Sequence, residues 1–127
     1  MDRLLVIGGA RSGKSRFAQD WAQASGQKPV FIATAQAFDE EMRERIARHR
    51  ADRDATWTTI EAPLELPAAI AAHAAPDTVL LADCLTLWVS NLLLAGQDIP
   101  AATDALISAI TASRGALVLV SNEVGWG

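Results

Sequence analysis

Residues 8–15 read GGARSGKS and follow directly on the apolar run Leu4-Leu5-Val6-Ile7. A glycine, four residues of free choice and then Gly13-Lys14-Ser15 is the spacing of a phosphate-binding loop. That spacing has physical meaning only between a buried strand and a helix, and both flanks are present here. Gly8 and Gly13 let the backbone turn tightly, so that the N–H groups of Gly9, Ala10, Arg11 and Ser12 can approach phosphate oxygens. The helix that follows adds the positive end of its dipole. Lys14 is placed to reach the β- and γ-phosphates, and Ser15 to offer its hydroxyl to Mg²⁺. The chain must therefore begin with a strand, a turn and a helix, and it is expected to bind a nucleotide.

The rest of the sequence repeats that alternation. Helix is expected over residues 15–24, with Phe17, Ala18, Trp21 and Ala22 on one face. A second strand covers 29–34, and a charged helix capped by Asp39 runs over 40–52. A short strand at 57–61 precedes an alanine-rich helix at 64–74 and a buried strand at 77–83. Helices at 85–95 and 100–113 lead to a last strand at 116–121. Strands separated by helices predict a parallel sheet covered on both faces. The expected class is α/β, a P-loop NTPase-like (RecA-like), mostly parallel sheet with helices on both faces.

A chain of 127 residues that is 50% apolar can bury a core as one domain, residues 1–127. Its net charge of −4 argues against a nucleic-acid partner, because no basic face offsets the acidic total. The single Cys84 cannot form an internal disulfide, which favours a reducing compartment; within an apolar stretch it reads as a buried thiol, not a nucleophile. The N-terminus lacks the layout of a signal peptide. The most apolar window, residues 84–96, is interrupted by Ser90 and Asn91 and is too short to span a bilayer. A cytoplasmic protein without a membrane span is expected.

Three titratable positions stand out. Asp83 ends a buried strand and so falls at the ligand-binding edge of the sheet, where an acid commonly holds Mg²⁺; Asp also caps helices well, and both roles fit. Asp77 lies at the wrong end of that strand. In the charged helix, Glu41–Arg45 and Glu44–Arg48 are spaced for ion pairs on a solvated face. His49 shares a stripe with Met42 and Ile46, with Arg53 one turn on. A lone histidine there is more often a structural or surface residue, but neighbouring arginines favour the neutral imidazole, so the placement suits a nucleophile as well. His73 has no charged company and reads as ordinary.

Four segments now agree in one order: GGARSGKS followed by Arg16, FIATAQAFDEEMRERIARHRADR, LLADCLTLWVSNLL, and VSNEVGWG. Together they resemble the adenosylcobinamide kinase / adenosylcobinamide-phosphate guanylyltransferase family of cobalamin biosynthesis, over residues 4–127. The resemblance implies a two-step transferase. It phosphorylates adenosylcobinamide with ATP or GTP, then moves GMP from GTP through a histidine to adenosylcobinamide phosphate, giving adenosylcobinamide-GDP. The pattern Arg-Ile-x-x-His falls on Arg45, Ile46 and His49, which makes His49 the implied nucleophile. Implied nucleotide contacts are Gly8, Gly9, Ala10, Arg11, Ser12, Gly13, Lys14 and Ser15, then Thr34, Ala35 and Gln36. Arg50, Ala51, Asp52 and Arg53 follow, with Glu61 and Asp83; Ser15 and Asp83 are the implied Mg²⁺ ligands. The implied partners are a small-molecule corrinoid and GTP or ATP, with no nucleic acid, and the resemblance implies a homo-oligomer, a trimer.

Family members continue beyond the GWG with further helix and strand, so a C-terminally truncated domain is expected, less stable and less active than a full-length relative. Two other functions remain open from the residues alone. One is a single-function P-loop small-molecule kinase with a structural His49; the other is an inactive nucleotide-binding fragment.

Overall fold

Strand β4 (Thr78–Asp83) shows why the apolar runs must lie at the centre of a sheet. Along it Val79 and Leu81 join one hydrophobic cluster while Leu80 and Ala82 join another, as the two-residue period of a strand requires. A strand buried on both sides needs helices over each face. The computed structural model describes residues 3–8, 13–36, 40–51, 53 and 55–122, the side chains of residues 45, 49 and 122 excepted.

Among these residues the chain runs β1 (Arg3–Gly8), α1 (Lys14–Ala24), β2 (Lys28–Ala33), α2 (Glu40–Ala51), β3 (Thr58–Glu61) and α3 (Leu66–His73). It continues through β4, α4 (Leu85–Leu94), α5 (Ile99–Ala112) and β5 (Ala116–Asn122). Every element expected from the sequence is present, with ends displaced by one or two residues. The five described strands are parallel in the order β1-β5-β4-β2-β3, the α/β class expected. No described helix is long and apolar enough to cross a membrane.

Helix α1 covers one face by laying Ala18 and Ala22 against Val79, Leu81, Val118 and Val120. Helices α3, α4 and α5 cover the other, with Leu66, Ile70, Trp88, Leu92 and Leu106 over Ile32, Leu80 and Leu117. One expectation needs correction. Phe17 is 57% exposed, because the packed stripe of α1 is Lys14, Ala18 and Ala22 at four-residue spacing, and Phe17 lies beside it. On the edge strand β1, Leu5 and Ile7 are exposed next to a groove lined by Ile110, Leu117 and Leu119.

Polar groups fasten the ends of the elements. Arg3 donates to the carbonyls of Ile110, Ser113 and Gly115, placing a cation where α5 leaves carbonyls unmatched. Gly115 has φ +90°, and a Cβ there would collide with the carbonyl oxygens of Ala75 and Thr78. Among the described side chains of α2, Arg43 pairs with Glu40 at 3.5 Å, and the Glu44–Arg48 pair expected from spacing is not formed. The Asp39 cap and the side chain of Arg45 lie outside the described residues.

Candidate active site

In a parallel sheet, ligands bind beyond the carboxyl ends of the strands. Register decides which side chains meet there. Ala33 of β2 pairs with Glu61 on one side and Asp83 on the other, and Phe31 pairs with Thr59 and Leu81. Alternation puts both rows on the face that carries α1. Glu61 and Asp83 thus stand about 10 Å apart, two strand spacings, with only a methyl group between them.

Over this floor lies a cavity of about 300 Å³, the lower end of the range for small-ligand sites. Phe31, Ala33, Thr59, Glu61 and Asp83 form its base. Helix α2 contributes Met42, Ile46 and Arg50, and the turn beyond it Arg53. Lys14 and Ser15 enter from the start of α1, and Ala35, Cys84 and Leu87 complete the wall. Three cations, Lys14, Arg50 and Arg53, face two carboxylates in a protein that is acidic overall.

The start of α1 has the backbone features that can receive an anion. Gly13 adopts φ +79°, a left-handed conformation that glycine takes without steric cost. It supplies no side-chain cap, so the first N–H groups of the helix stay directed outward. Lys14 is buried. Ser15 Oγ donates to Asp83 Oδ2 at 3.0 Å, joining the phosphate loop to the end of β4. Asp83 is not the cap of α4; that position is Cys84, whose Sγ accepts from Leu87 N–H at 3.4 Å. Burial pushes the Cys84 thiol above its ordinary value of 9.0, and the Asp83 carboxylate adds to the rise. It is the buried thiol expected from the sequence. The Asp83–Cys84 peptide bond is cis.

Among the described residues no group of three or more His, Cys, Asp or Glu could hold a metal. A hydroxyl beside one carboxylate suits Mg²⁺, which is usually held by one or two carboxylates together with substrate phosphates.

Of the residues named from the sequence, the structure brings Lys14, Ser15, Ala35, Arg50, Arg53, Glu61 and Asp83 to one cavity. Gly8 ends β1. Gln36 and Ala51 are not among the lining residues. Thr34 is fully buried and fastens β2 to β4. Its hydroxyl donates to Cys84 O and accepts from Cys84 N–H, both at 2.8 Å, its N–H donates to Asp83 O at 3.1 Å, and its carbonyl accepts from Asn91 Nδ2 at 2.7 Å. Thr34 therefore shapes the site without lining it. Gly9, Ala10, Arg11, Ser12 and Asp52 lie outside the described residues, as does the side chain of His49; its backbone is in α2, directly before Arg50.

Sequence reasoning missed Phe31, Thr59 and Leu87 as lining residues. Phe31 and Thr59 carry a usable signal, their two-residue offset from Ala33 and Glu61, but it can be read only once β2 and β3 are known to pair.

Residues 4–127 match the family model described as cobinamide kinase / cobinamide phosphate guanyltransferase. A bifunctional adenosylcobalamin biosynthesis protein CobP of Pseudomonas aeruginosa is 50% identical over 127 residues, covering 98% of this chain and 73% of the relative. The bifunctional adenosylcobalamin biosynthesis proteins CobU of Salmonella typhimurium and Escherichia coli are each 40% identical over 139 residues, covering 98% of this chain and 76% of theirs.

Proposed function

The chain belongs to the cobinamide kinase / cobinamide phosphate guanyltransferase family of enzymes, and we propose that this cavity serves both transfers. In the first, the aminopropanol hydroxyl of adenosylcobinamide attacks the γ-phosphorus of ATP or GTP, loses its proton and releases the nucleoside diphosphate. In the second, His49 as neutral imidazole attacks the α-phosphorus of GTP, and the bond to pyrophosphate breaks. The phosphate of adenosylcobinamide phosphate then displaces the histidine from GMP, which yields adenosylcobinamide-GDP. Splitting the second transfer this way replaces one difficult displacement with two easier ones.

The observation that carries this reading is that Met42, Ile46 and Arg50 of α2 line the same cavity as Lys14 and Ser15. His49 lies in that helix, seven residues from Met42 and three from Ile46, the spacing of one helical stripe. Lys14 and the first N–H groups of α1 hold the β- and γ-phosphates, and Arg50 and Arg53 add positive charge on the opposite wall. Ser15 and Asp83 are the residues that would hold Mg²⁺, and an ion bound there with the nucleotide would offset charge that builds on the leaving phosphates. The β–γ bond broken in one step and the α–β bond in the other belong to the same triphosphate, so one loop can serve both.

Exposure to radiolabelled GTP with Mg²⁺ tests the proposal. Label that is acid-labile and base-stable, maps to the peptide holding His49 and is absent from a His49→Ala variant is expected. A competent kinase that takes up no label would refute the guanylyl-histidine step.

A further inference from the structure

The Arg53 guanidinium carbon lies 3.7 Å from the centroid of the Phe31 ring, a face-on cation–π contact. Its Nη2 donates to Thr59 Oγ1 at 3.3 Å. Phe31 and Thr59 are register partners on β2 and β3, so a single cross-strand pair supports the guanidinium from below and from one side. The Phe31 ring is in turn met edge-on by Trp57, with centroids 6.2 Å apart and planes at 71°. Phe31 and Trp57 are buried in the core, whereas Arg53, Phe31 and Thr59 all line the cavity.

A long flexible cation bound in this way loses its freedom before a ligand arrives. A guanidinium held over a ring face is fixed in place, and its in-plane N–H groups form directional bonds to phosphate oxygens. We propose that Phe31, braced by Trp57, is a positioning residue that presets Arg53 to receive a phosphate group of GTP. The inference rests on the nucleotide reading above. Preorganisation of this kind acts on affinity. Loss of Phe31 therefore raises KM for GTP and leaves kcat nearly unchanged, the pattern of an interaction made equally in ground and transition states.

A double-mutant cycle on GTP binding tests it, with titration of wild type, Phe31→Leu, Arg53→Ala and the double variant. Phe31→Leu is expected to weaken GTP binding about tenfold, equivalent to about 1.4 kcal/mol. The same change in the Arg53→Ala background should cost less than about twofold, since nothing remains to position. Phe31→Tyr retains the ring face and should bind GTP as wild type does. Thr59→Val, which leaves the core intact, should weaken binding in the wild-type background only, and it replaces Phe31→Leu in the cycle if that variant does not fold. Losses that multiply in the double variant, or unchanged affinity in both Phe31→Leu and Thr59→Val, overturn the proposal while the nucleotide reading stands. Failure of wild type to bind GTP overturns that reading, and the inference with it.

Discussion

Replacing Asn91 with Leu removes two buried N–H donors while keeping the number of side-chain heavy atoms. Asn91 Nδ2 donates to the carbonyl of Thr34 at 2.7 Å and to that of Pro63 at 2.9 Å, and the residue is buried. Thr34 is fully buried, so its carbonyl loses its partner without access to water. An acceptor stranded in this way costs about 1–3 kcal/mol. Pro63 is half-buried and its carbonyl can be partly rehydrated, which holds its share to about 1 kcal/mol. Leucine returns part of this through greater apolar burial, on the order of 1 kcal/mol. The net expected loss is about 2 kcal/mol, a large fraction of the roughly 5–15 kcal/mol that holds a domain folded. Urea unfolding should show a lowered midpoint at an unchanged slope, because the surface exposed on unfolding is the same. Ser90→Ala, one residue away and exposed, should stay within about 0.5 kcal/mol of wild type. Asn91→Leu unfolding within about 0.5 kcal/mol of wild type, at the same slope, would refute the view that this side chain brackets the loops after β2 and β3.

Two other perturbations follow from the geometry. Gly115→Ala combines a left-handed φ with a collision against backbone carbonyls that cannot move aside, so a loss of at least about 2 kcal/mol is expected, read as a fall in the thermal midpoint. Cys84 should react with iodoacetamide far more slowly in the native protein than in urea at pH 8, because burial keeps the thiol protonated. With the folded value raised above the ordinary 9.0, this group's contribution to stability is complete below that pH and is lost as pH rises beyond it, a decline that Cys84→Ser should abolish. Native labelling as fast as in urea would contradict the burial argument.

The alternation of apolar runs and helical patterns was enough to place every described element, because a strand buried on both faces reads as a continuous apolar run. The place of Asp83 at the carboxyl edge of the sheet was legible too, since it is tied to one end of one strand, whereas residues 9–12 of the GGARSGKS motif lie outside the described residues. What could not be read were relations across elements. Asn91 looks in the sequence like a polar interruption of an apolar window; only folding shows the carbonyls of Thr34 and Pro63 that it meets. Thr34 follows a strand as ligand contacts often do, yet its polar groups are taken up by neighbouring backbone and side chain. Periodicity assigned Phe17, Ala18, Trp21 and Ala22 to one face of α1; the helix approaches the sheet through Ala18 and Ala22 with Trp21 packed beside them, and only Phe17 is left exposed.

Those two alanines connect the core to the site. Strand β5 lies between β1 and β4, so the loop strand and the strand ending at Asp83 are two spacings apart, about 10 Å. Yet Ser15 reaches Asp83 at 3.0 Å. It does so because α1 starts at the end of β1 and lies over β4 and β5, packed on Val79, Leu81, Val118 and Val120. The height of the helix above those strands is set by the side chains between them, and methyl groups allow the close approach. The hydroxyl and the carboxylate belong to elements far apart in sequence, so nothing local holds them together. Their separation is fixed by the fit of Ala18 and Ala22 on the sheet, and the geometry proposed to hold Mg²⁺ is a property of core packing as much as of the motif that announces it.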